Sequence, residues 1–377
     1  MLKKLLTIED ICTVLFAFTT MGILGAMAIN LAFLGPVAQT MKDFSFTDIF
    51  YHVLQEQSTP DTSRVITIVD MTDLPSREAI VEKLEEVEAC NPKVVGVDVV
   101  FEGTKPDTVS DMRLLSLASN EHFVFSYRMQ DYVDDTIGYS HEAHSFFANQ
   151  TNVNEGFTNY ERRLIGGLKR NVSLQMRSMG KDCDNSFAWQ VAFCYSDKQL
   201  QEIEERTLAV NFRPTVFRVI HPDSILEHQD WIEDQIVLFG AMNELADRHY
   251  TPLGEMAGVE LIAYSIQTLL EHSEIRTLPI VLVILISFIV VLLTHVLRKQ
   301  YIRWAEVRKP QWLSFFLTST FFIGLLVTIW IIFLVWISFL LFYYTGYNIN
   351  LGWAMAAIPF LGGAKEFYGI MAIRSGA

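Results

Sequence analysis

Long apolar segments constrain the fold of this chain more than any other feature of its sequence. A helix needs about 20 predominantly apolar residues to cross a bilayer, and four segments reach that length. The fourth segment is the weakest, because Lys365 and Glu366 interrupt it. A lysine near a helix end can reach the interface along its aliphatic stem, so we still predict a span there. The four predicted transmembrane helices are residues 11–38, 278–297, 313–342 and 351–373.

The first of these segments has a second interpretation, as the core of a cleaved signal peptide. Residues 25–28 offer the small side chains that cleavage requires. However, the apolar run is longer than the about 7–15 residues that are typical of a signal peptide. Its length therefore favours an uncleaved membrane anchor.

The distribution of charge predicts how the four helices are oriented. Short cytoplasmic loops are enriched in lysine and arginine. Residues 298–312 carry five basic side chains against one acidic side chain, whereas residues 343–350 carry no charge. We therefore predict that residues 1–10, the basic loop 298–312 and the C-terminus are cytoplasmic, and that 343–350 is an extracytoplasmic turn. The large segment 39–277 then lies outside the cytoplasmic membrane.

Segment 39–277 is long enough to enclose its own core and is strongly acidic. It holds 20 Lys and Arg residues against 39 Asp and Glu residues, a formal charge of −19. Such a surface disfavours nucleic acid as a partner. Cys183 and Cys194 lie in this segment, where a disulfide would persist outside the cytoplasm. The sequence leaves open whether these two cysteines are bridged.

Short apolar runs alternate with helical patterns in this segment. The runs are rich in β-branched residues and show no clean alternation, which is typical of strands covered on both faces. Residues 76–90 have apolar side chains at helical spacing, with Ser76 as an N-cap. The pattern predicts an α/β domain with a mostly parallel sheet flanked by helices. The predicted strands are residues 64–70, 93–101, 122–127 and 235–240, with further candidates at 172–178 and 207–212.

Acidic residues follow several of these strands. Ligands of open α/β sheets bind beyond the carboxyl ends of the strands. Asp70, Asp73, Asp98 and Asp247 are therefore predicted to gather at one edge, where they would suit a divalent cation or a polar ligand. Aspartates in tight turns also bind backbone amides. The sequence leaves both roles open for each of them.

No complete set of catalytic residues is recognisable. The aspartates of "IVDMTDL" are three residues apart, whereas haloacid dehalogenase-type phosphatases need Asp-x-Asp-x-Thr. Asp247 and His249 could form an acid–base pair, but no serine or cysteine nucleophile accompanies them. No phosphate-binding loop occurs, and His141 and His144 are interpreted as surface residues. We predict that the chain is not an enzyme, and keep an exported hydrolase with an acidic site as an alternative.

Three stretches of the chain resemble the CHASE2 family of extracytoplasmic sensor domains. They are "VITIVDMTDL", "NPKVVGVDVVFE" and "QIVLFGAMNELADRHYTPLGEMAGVELIAYSIQTLL". The last is the most specific, because it contains the Asp-x-His-x-Thr-Pro run of the family at residues 247–252. One span before the domain and three after it also fit. The matching residues of the last stretch are Gly240, Asp247, Thr251, Pro252, Gly258, Val259, Glu260 and Ala263.

The resemblance implies a sensor in the bacterial cytoplasmic (inner) membrane with a periplasmic domain. Gly240 allows a sharp turn after its strand, and the helix predicted at residues 257–272 leads almost directly into the second span. We therefore predict that the loop after Gly240 is a hinge between a sensing surface and the membrane helices. The candidate ligand-binding residues are Asp70, Asp73, Asp98, Asp247, His249 and Thr251.

Relatives commonly carry a kinase or a nucleotide cyclase after the last span, but only a few residues follow Ile373 here. We therefore expect the signal to pass to a separate membrane or cytoplasmic protein, through the transmembrane helices or the basic loop. Formation of a homo-oligomer is left open. The main alternative is a scaffolding subunit of an envelope complex.

Overall fold

The chain divides into an α/β unit and a helical unit. The computed structural model describes residues 7–30, 46–57, 59–106, 108–134, 136–159, 167–180, 183–200, 206–349 and 351–375. The α/β unit is Asp48–Ile275, and the helical unit combines Met1–Thr47 with Arg276–Ala377.

Helix α1 (Ile8–Asn30) belongs to the helical unit and comes first in the chain. Helix α2 (Phe46–Gln57) begins at the boundary, and four more helices cover the sheet of the α/β unit. These are α3 (Arg77–Glu88), α4 (Thr108–Ala118), α5 (Phe187–Tyr195) and α6 (Gly258–Leu270). The strands are β1 (Asp61–Asp70), β2 (Val94–Val97), β3 (Phe123–Asp134), β4 (Gly138–Ala143), β5 (Asn154–Phe157), β6 (Asn171–Ser173), β7 (Gln175–Arg177), β8 (Cys183–Asn185), β9 (Thr207–Ala209), β10 (Thr215–Ile220), β11 (Ile236–Gly240), β12 (Arg248–Thr251) and β13 (Gly254–Ala257).

The main sheet has seven strands in the order β10-β1-β11-β2-β3-β4, and β5 also pairs with β3. Every pair in it is parallel except β3 with β4. The central strands are buried on both faces, as a parallel sheet between helices requires. The prediction of a mixed α/β domain with a mostly parallel sheet is confirmed.

Helix α3 illustrates how the sequence builds the outer layer. Its apolar residues recur at helical spacing, so one face packs on the sheet while the acidic residues face outward. The Ser76 hydroxyl accepts a hydrogen bond from the amide of Ala79 at 3.2 Å and caps the helix, as predicted. The buried residues of the helix are Ile80, Val81, Leu84 and Val87.

The structure differs from the sequence prediction in several strands of the α/β unit. Strand β10 was not predicted, because Arg218 interrupts a short run whose Val216 and Val219 stay exposed. Strand β2 ends at Val97, so Asp98 follows the strand rather than lying within it. Strands β4 and β5 lie in a polar stretch that the sequence left unassigned.

The helical unit continues after residue 276 with a two-residue strand, β14 (Arg276–Thr277), which pairs with β15 (Tyr347–Asn348). Two helices of the described part are long and apolar enough to cross a membrane, and they correspond to the second and third predicted spans. The first and fourth spans stay predictions. The helices are α7 (Ile280–Arg308), α8 (Gln311–Leu317), α9 (Thr320–Thr345), α10 (Gly352–Ala357) and α11 (Leu361–Ser375).

Two segments of the helical unit differ from the sequence prediction. Residues 298–308 continue α7 instead of forming a loop, because the segment lacks proline and glycine before Pro310. The predicted fourth span is two helices joined by a 3-10 turn (Ile358–Phe360), where Pro359 cannot donate a helical hydrogen bond.

Candidate functional site

The carboxyl ends of the central strands meet at one edge of the sheet, which we call the acidic edge. The register pairs Asp70 with Gly240, and Phe239 with Val97. Val97 in turn pairs with Phe125 of β3. Asp98 and Ser126 directly follow these last two residues, so the strands bring Asp70, Asp98 and Ser126 to the same edge.

Asp70 is engaged in joining two loops. Its Oδ1 accepts hydrogen bonds from the amides of Thr72 at 3.0 Å and Met242 at 3.1 Å. The Thr72 hydroxyl donates to the same oxygen and accepts from the Met242 and Asn243 amides. Asp70 therefore fixes the loop after β11 to the end of β1, which is the capping role that the sequence left open.

Asp98 is the carboxylate of the acidic edge whose charged form is disfavoured. It is half-buried, and its backbone amide donates to Phe239 O at 2.9 Å. Burial, then the nearby charge of Asp247, raises the pKa of Asp98 to about 6. A hydrogen bond with Ser126 and the charge of Arg128 oppose this shift, and Glu244 adds to it. Ionising Asp98 therefore costs folding free energy, and neutralising it by a proton or a cation returns that energy.

Asp247 and His249 lie beside the start of α6. The Asp247 Oδ1 is 3.3 Å from the His249 Nε2. The Asp247 carboxylate also lies against Gly258, because a Cβ at Gly258 would be 2.1 Å from its Oδ2. A carboxylate at a helix N-terminus is stabilised by the helix dipole. Asp247 is thus close enough to Asp98 for its charge to act on that carboxylate, and it contacts the first residue of α6.

Helix α6 also packs closely on the strand that leads into this loop. A Cβ at Gly240 would be 2.6 Å from the Val259 side chain, so only glycine permits this approach. The sequence suggested a sharp turn at Gly240, whereas its structural role is this contact. The Glu260 carboxylate accepts a hydrogen bond from the Ala257 amide at 3.0 Å and caps the same helix.

The remaining predicted residues lie in or next to turns. Asp73 is exposed in the turn after β1. Thr251 is 2% exposed, and its hydroxyl donates to Gly254 O at 2.9 Å and accepts from the Leu253 amide at 3.2 Å. Thr251 therefore stabilises the β12–β13 turn. Of the candidates, Asp247 and His249 lie beside α6, and the charge of Asp247 acts on Asp98.

Three residues that act on Asp98 were not predicted from the sequence, namely Ser126, Arg128 and Glu244. Ser126 is a polar residue inside the buried apolar run of β3, which is the one signal that pointed to it. Among the described residues, no group of three or more His, Cys, Asp or Glu side chains has the arrangement of a metal site. The divalent cation stays a prediction. Cys183 and Cys194 are free thiols, so the structure contains no disulfide between them.

A cavity of about 310 Å³ lies at the opposite end of β1. Residues 61–66 line one side of it, and Gln267, Leu270 and Glu271 at the end of α6 line the other. Helix α6 therefore has the acidic edge at its first turn and a polar cavity at its last turn.

A second polar cluster lies at the β3–β4–β5 margin. His144 bridges two glutamates, with its Nδ1 2.9 Å from Glu155 Oε2 and its Nε2 3.0 Å from Glu142 Oε2. Its ring stacks on Tyr127 at 4.4 Å. The hydrogen bond with Glu155 is the main cause that raises the pKa of His144 to about 9. His144 is thus a protonated bridge, whereas His141 is the surface residue that the sequence predicted, with 70% of its side chain exposed.

Stability is expected to depend on pH through His144. Its pKa is about 9 in the folded chain and about 6.5 in an unfolded one. The bridge therefore stabilises fully below about pH 6.5, and this contribution is lost as the pH rises through 9. We expect H144Q to lower the unfolding free energy by about 2 kcal/mol at pH 6, the scale of hydrogen bonds to charged groups. Chemical denaturation at pH 6 and pH 9.5 measures this, with H141Q as the control. A loss of equal size at both pH values contradicts it.

Comparison with known protein families confirms the resemblance to the CHASE2 family. The model of the CHASE2 domain family matches residues 21–297, which is more than half of the chain. No curated protein and no solved structure matches with significant similarity. The matched segment includes the acidic edge, α6 and the apolar part of α7. The chain therefore belongs to the CHASE2 domain family, a family of sensor domains.

Proposed function

We propose that this protein is a membrane-anchored sensor whose α/β unit lies outside the cytoplasmic membrane. It passes a conformational change through its transmembrane helices to a separate protein, and it has no catalytic activity of its own. CHASE2 domains are typically extracytoplasmic parts of membrane proteins, which supports this location. The excess of basic residues in 298–312 supports the proposed orientation of the four spans.

One observation supports the sensory mechanism most directly, namely the position of Asp247. This carboxylate contributes to the raised pKa of Asp98 and lies against the first residue of α6. A proton, a cation or a polar ligand that neutralises Asp98 removes the repulsion between the two carboxylates. The free energy released acts on the residue that adjoins α6.

The chain connects α6 to the membrane helices over a short distance in sequence. Helix α6 ends at Leu270 and α7 begins at Ile280, so only residues 271–279 separate them. A shift of α6 would therefore be transmitted to the start of α7 by a short connector. Partner proteins would detect it through the spans or through the basic segment 298–312.

The mechanism predicts that D98N, a neutral substitute of the same shape, reproduces the effect of the signal. We expect hydrogen exchange of the full-length protein in lipid nanodiscs to change at residues 254–262 and 271–285. D73N, which neutralises an exposed aspartate of the same edge, is the matched control. Changes confined to residues 94–130 would contradict transmission to α7.

Mild solubilisation and purification of the wild-type chain tests whether a separate partner protein binds it. The proposal expects a copurifying protein whose recovery differs between wild type and D98N. Recovery of the chain alone, or equal recovery of the partner with both, would favour the scaffolding alternative.

A further inference from the structure

The helical unit contains an apolar groove between the two candidate spans. It has a volume of about 420 Å³, within the about 300–1,000 Å³ range of ligand pockets. Helices α7 and α9 form its walls, and the start of α11 closes one side. Its apolar lining includes Leu297, Ile323, Leu326, Val327, Phe333 and Leu361.

Most polar atoms at the groove are already paired. The Trp330 Nε1 donates to the Thr294 hydroxyl at 3.0 Å, and that hydroxyl donates to Val290 O at 2.8 Å. The Tyr301 hydroxyl donates to Leu317 O at 3.2 Å. These groups close the walls of the groove without requiring a ligand.

Arg298 is the exception. Its guanidinium lines the groove and lies over Gly362, where a Cβ would be 3.4 Å from the Nη1 and Nη2 atoms. The charge of Glu366 acts on Arg298, but Arg298 forms no hydrogen bond or ion pair with any described residue. A guanidinium beside an apolar lining is costly unless an anion pairs with it.

The occupant that fits both features is an anionic phospholipid. Because α7 and α9 have the length and composition of membrane spans, the open side of the groove would face acyl chains. Guanidinium groups bind phosphate with two parallel hydrogen bonds. Arg298 is also the first residue of the basic segment that is predicted to lie at the cytoplasmic leaflet, where anionic lipids concentrate.

We propose that this groove binds one anionic phospholipid, with an acyl chain between α7 and α9 and its phosphate on Arg298. The bound lipid would contact both candidate spans close to the basic segment. The lipid composition of the inner leaflet would therefore influence the part of the protein that faces its partner. This inference rests on the proposed insertion of α7 and α9 into the membrane.

Native mass spectrometry of the delipidated full-length protein, titrated with phosphatidylglycerol or phosphatidylcholine, tests the site. We expect phosphatidylglycerol to bind more tightly, and R298Q to weaken its binding about fivefold. R303Q removes an exposed basic residue of the same helix and is expected to leave the affinity unchanged. Equal binding of the two lipids, or equal losses in R298Q and R303Q, would overturn the proposal.

A second variant keeps every charge and fills the groove. L326W is expected to abolish the tight phosphatidylglycerol site even if R298Q folds poorly, and undiminished binding to L326W would overturn the proposal. Membrane fractionation distinguishes an error in the lipid site from an error in the proposed membrane location. A chain that sediments with membranes but lacks the lipid preference contradicts only the lipid site, whereas a chain recovered as a soluble protein contradicts both.

Discussion

Replacing Asp10 with alanine is expected to lower the free energy of unfolding of the helical unit by about 3 kcal/mol. Asp10 is 1% exposed, and its Oδ1 is 2.8 Å from Lys299 Nζ and 3.2 Å from His295 Nε2. Its Oδ2 accepts hydrogen bonds from the Thr7 amide and hydroxyl at 2.8 Å. The variant removes the anion that pairs with Lys299 and lies beside His295 on α7. The estimate is at the lower end for a buried pair because Lys299 keeps 20% of its side chain exposed.

Denaturant unfolding of the purified protein in detergent, followed by fluorescence of the helical-unit tryptophans, measures this loss. E9A removes the exposed neighbouring carboxylate and is expected to change stability by less than about 0.5 kcal/mol. The double variant D10A/K299M is expected to be more stable than D10A, because it no longer leaves Lys299 without its partner. Equal stability of D10A and E9A would show that the cluster does not join α1 to α7.

Substituting Gly258 with alanine is expected to displace Asp247 and to lower the pKa of Asp98 from about 6 towards its ordinary value. The added Cβ would be 2.1 Å from Asp247 Oδ2, which is far too close for a carbon and an oxygen that are not bonded. The carboxylate must move away from the helix, which loses up to about 2 kcal/mol of dipole stabilisation. Asp98 then loses the charge that repels its ionised form.

NMR titration of a side-chain-labelled Asp98 measures this pKa, and denaturant unfolding measures the stability. Gly324 is a matched control, because the same methyl group at that position meets no atom within 4 Å. An unchanged pKa of Asp98 in G258A would show that the acidic edge is not coupled to α6. It would therefore contradict the proposed route of the signal.

The central sheet could be predicted from sequence because its strands are covered on both faces. Their runs are uniformly apolar, as in β11, where all five residues are buried. Patterns of this kind carry enough information to place the strands and, through the parallel register, the acids at one edge. Strand β10 was missed because it lies at the sheet edge and alternates with exposed valines and an arginine.

The candidate site was only partly predictable. Sequence position places Asp70, Asp98 and Asp247 near one edge, but it does not distinguish a carboxylate that holds a loop from one with a raised pKa. That difference depends on contacts between residues far apart in sequence, such as Asp70 with the Met242 amide. Ser126 and Arg128, which modulate Asp98, belong to a strand whose role at the site becomes clear only from the sheet order.

The bridging role of His144 was hidden for the same reason. Its partner Glu142 is two residues away in the sequence, on β4. Its other partner, Glu155, lies on β5, and Tyr127, on which its ring stacks, lies on β3. Polar sequence around His144 suggested a surface loop. A half-buried ion cluster has the same composition as an exposed one, so only the fold separates them.

The proposed function depends most directly on the side of the membrane on which the α/β unit lies. In a chain whose four native cysteines are replaced by serine, N149C and E306C place single thiols at exposed positions of the two units. Labelling of intact bacterial cells with a membrane-impermeant maleimide is expected to modify N149C, and to modify E306C only after the cytoplasmic membrane is permeabilised. Protection of N149C in intact cells together with labelling after permeabilisation would place the α/β unit in the cytoplasm and contradict an extracytoplasmic sensor.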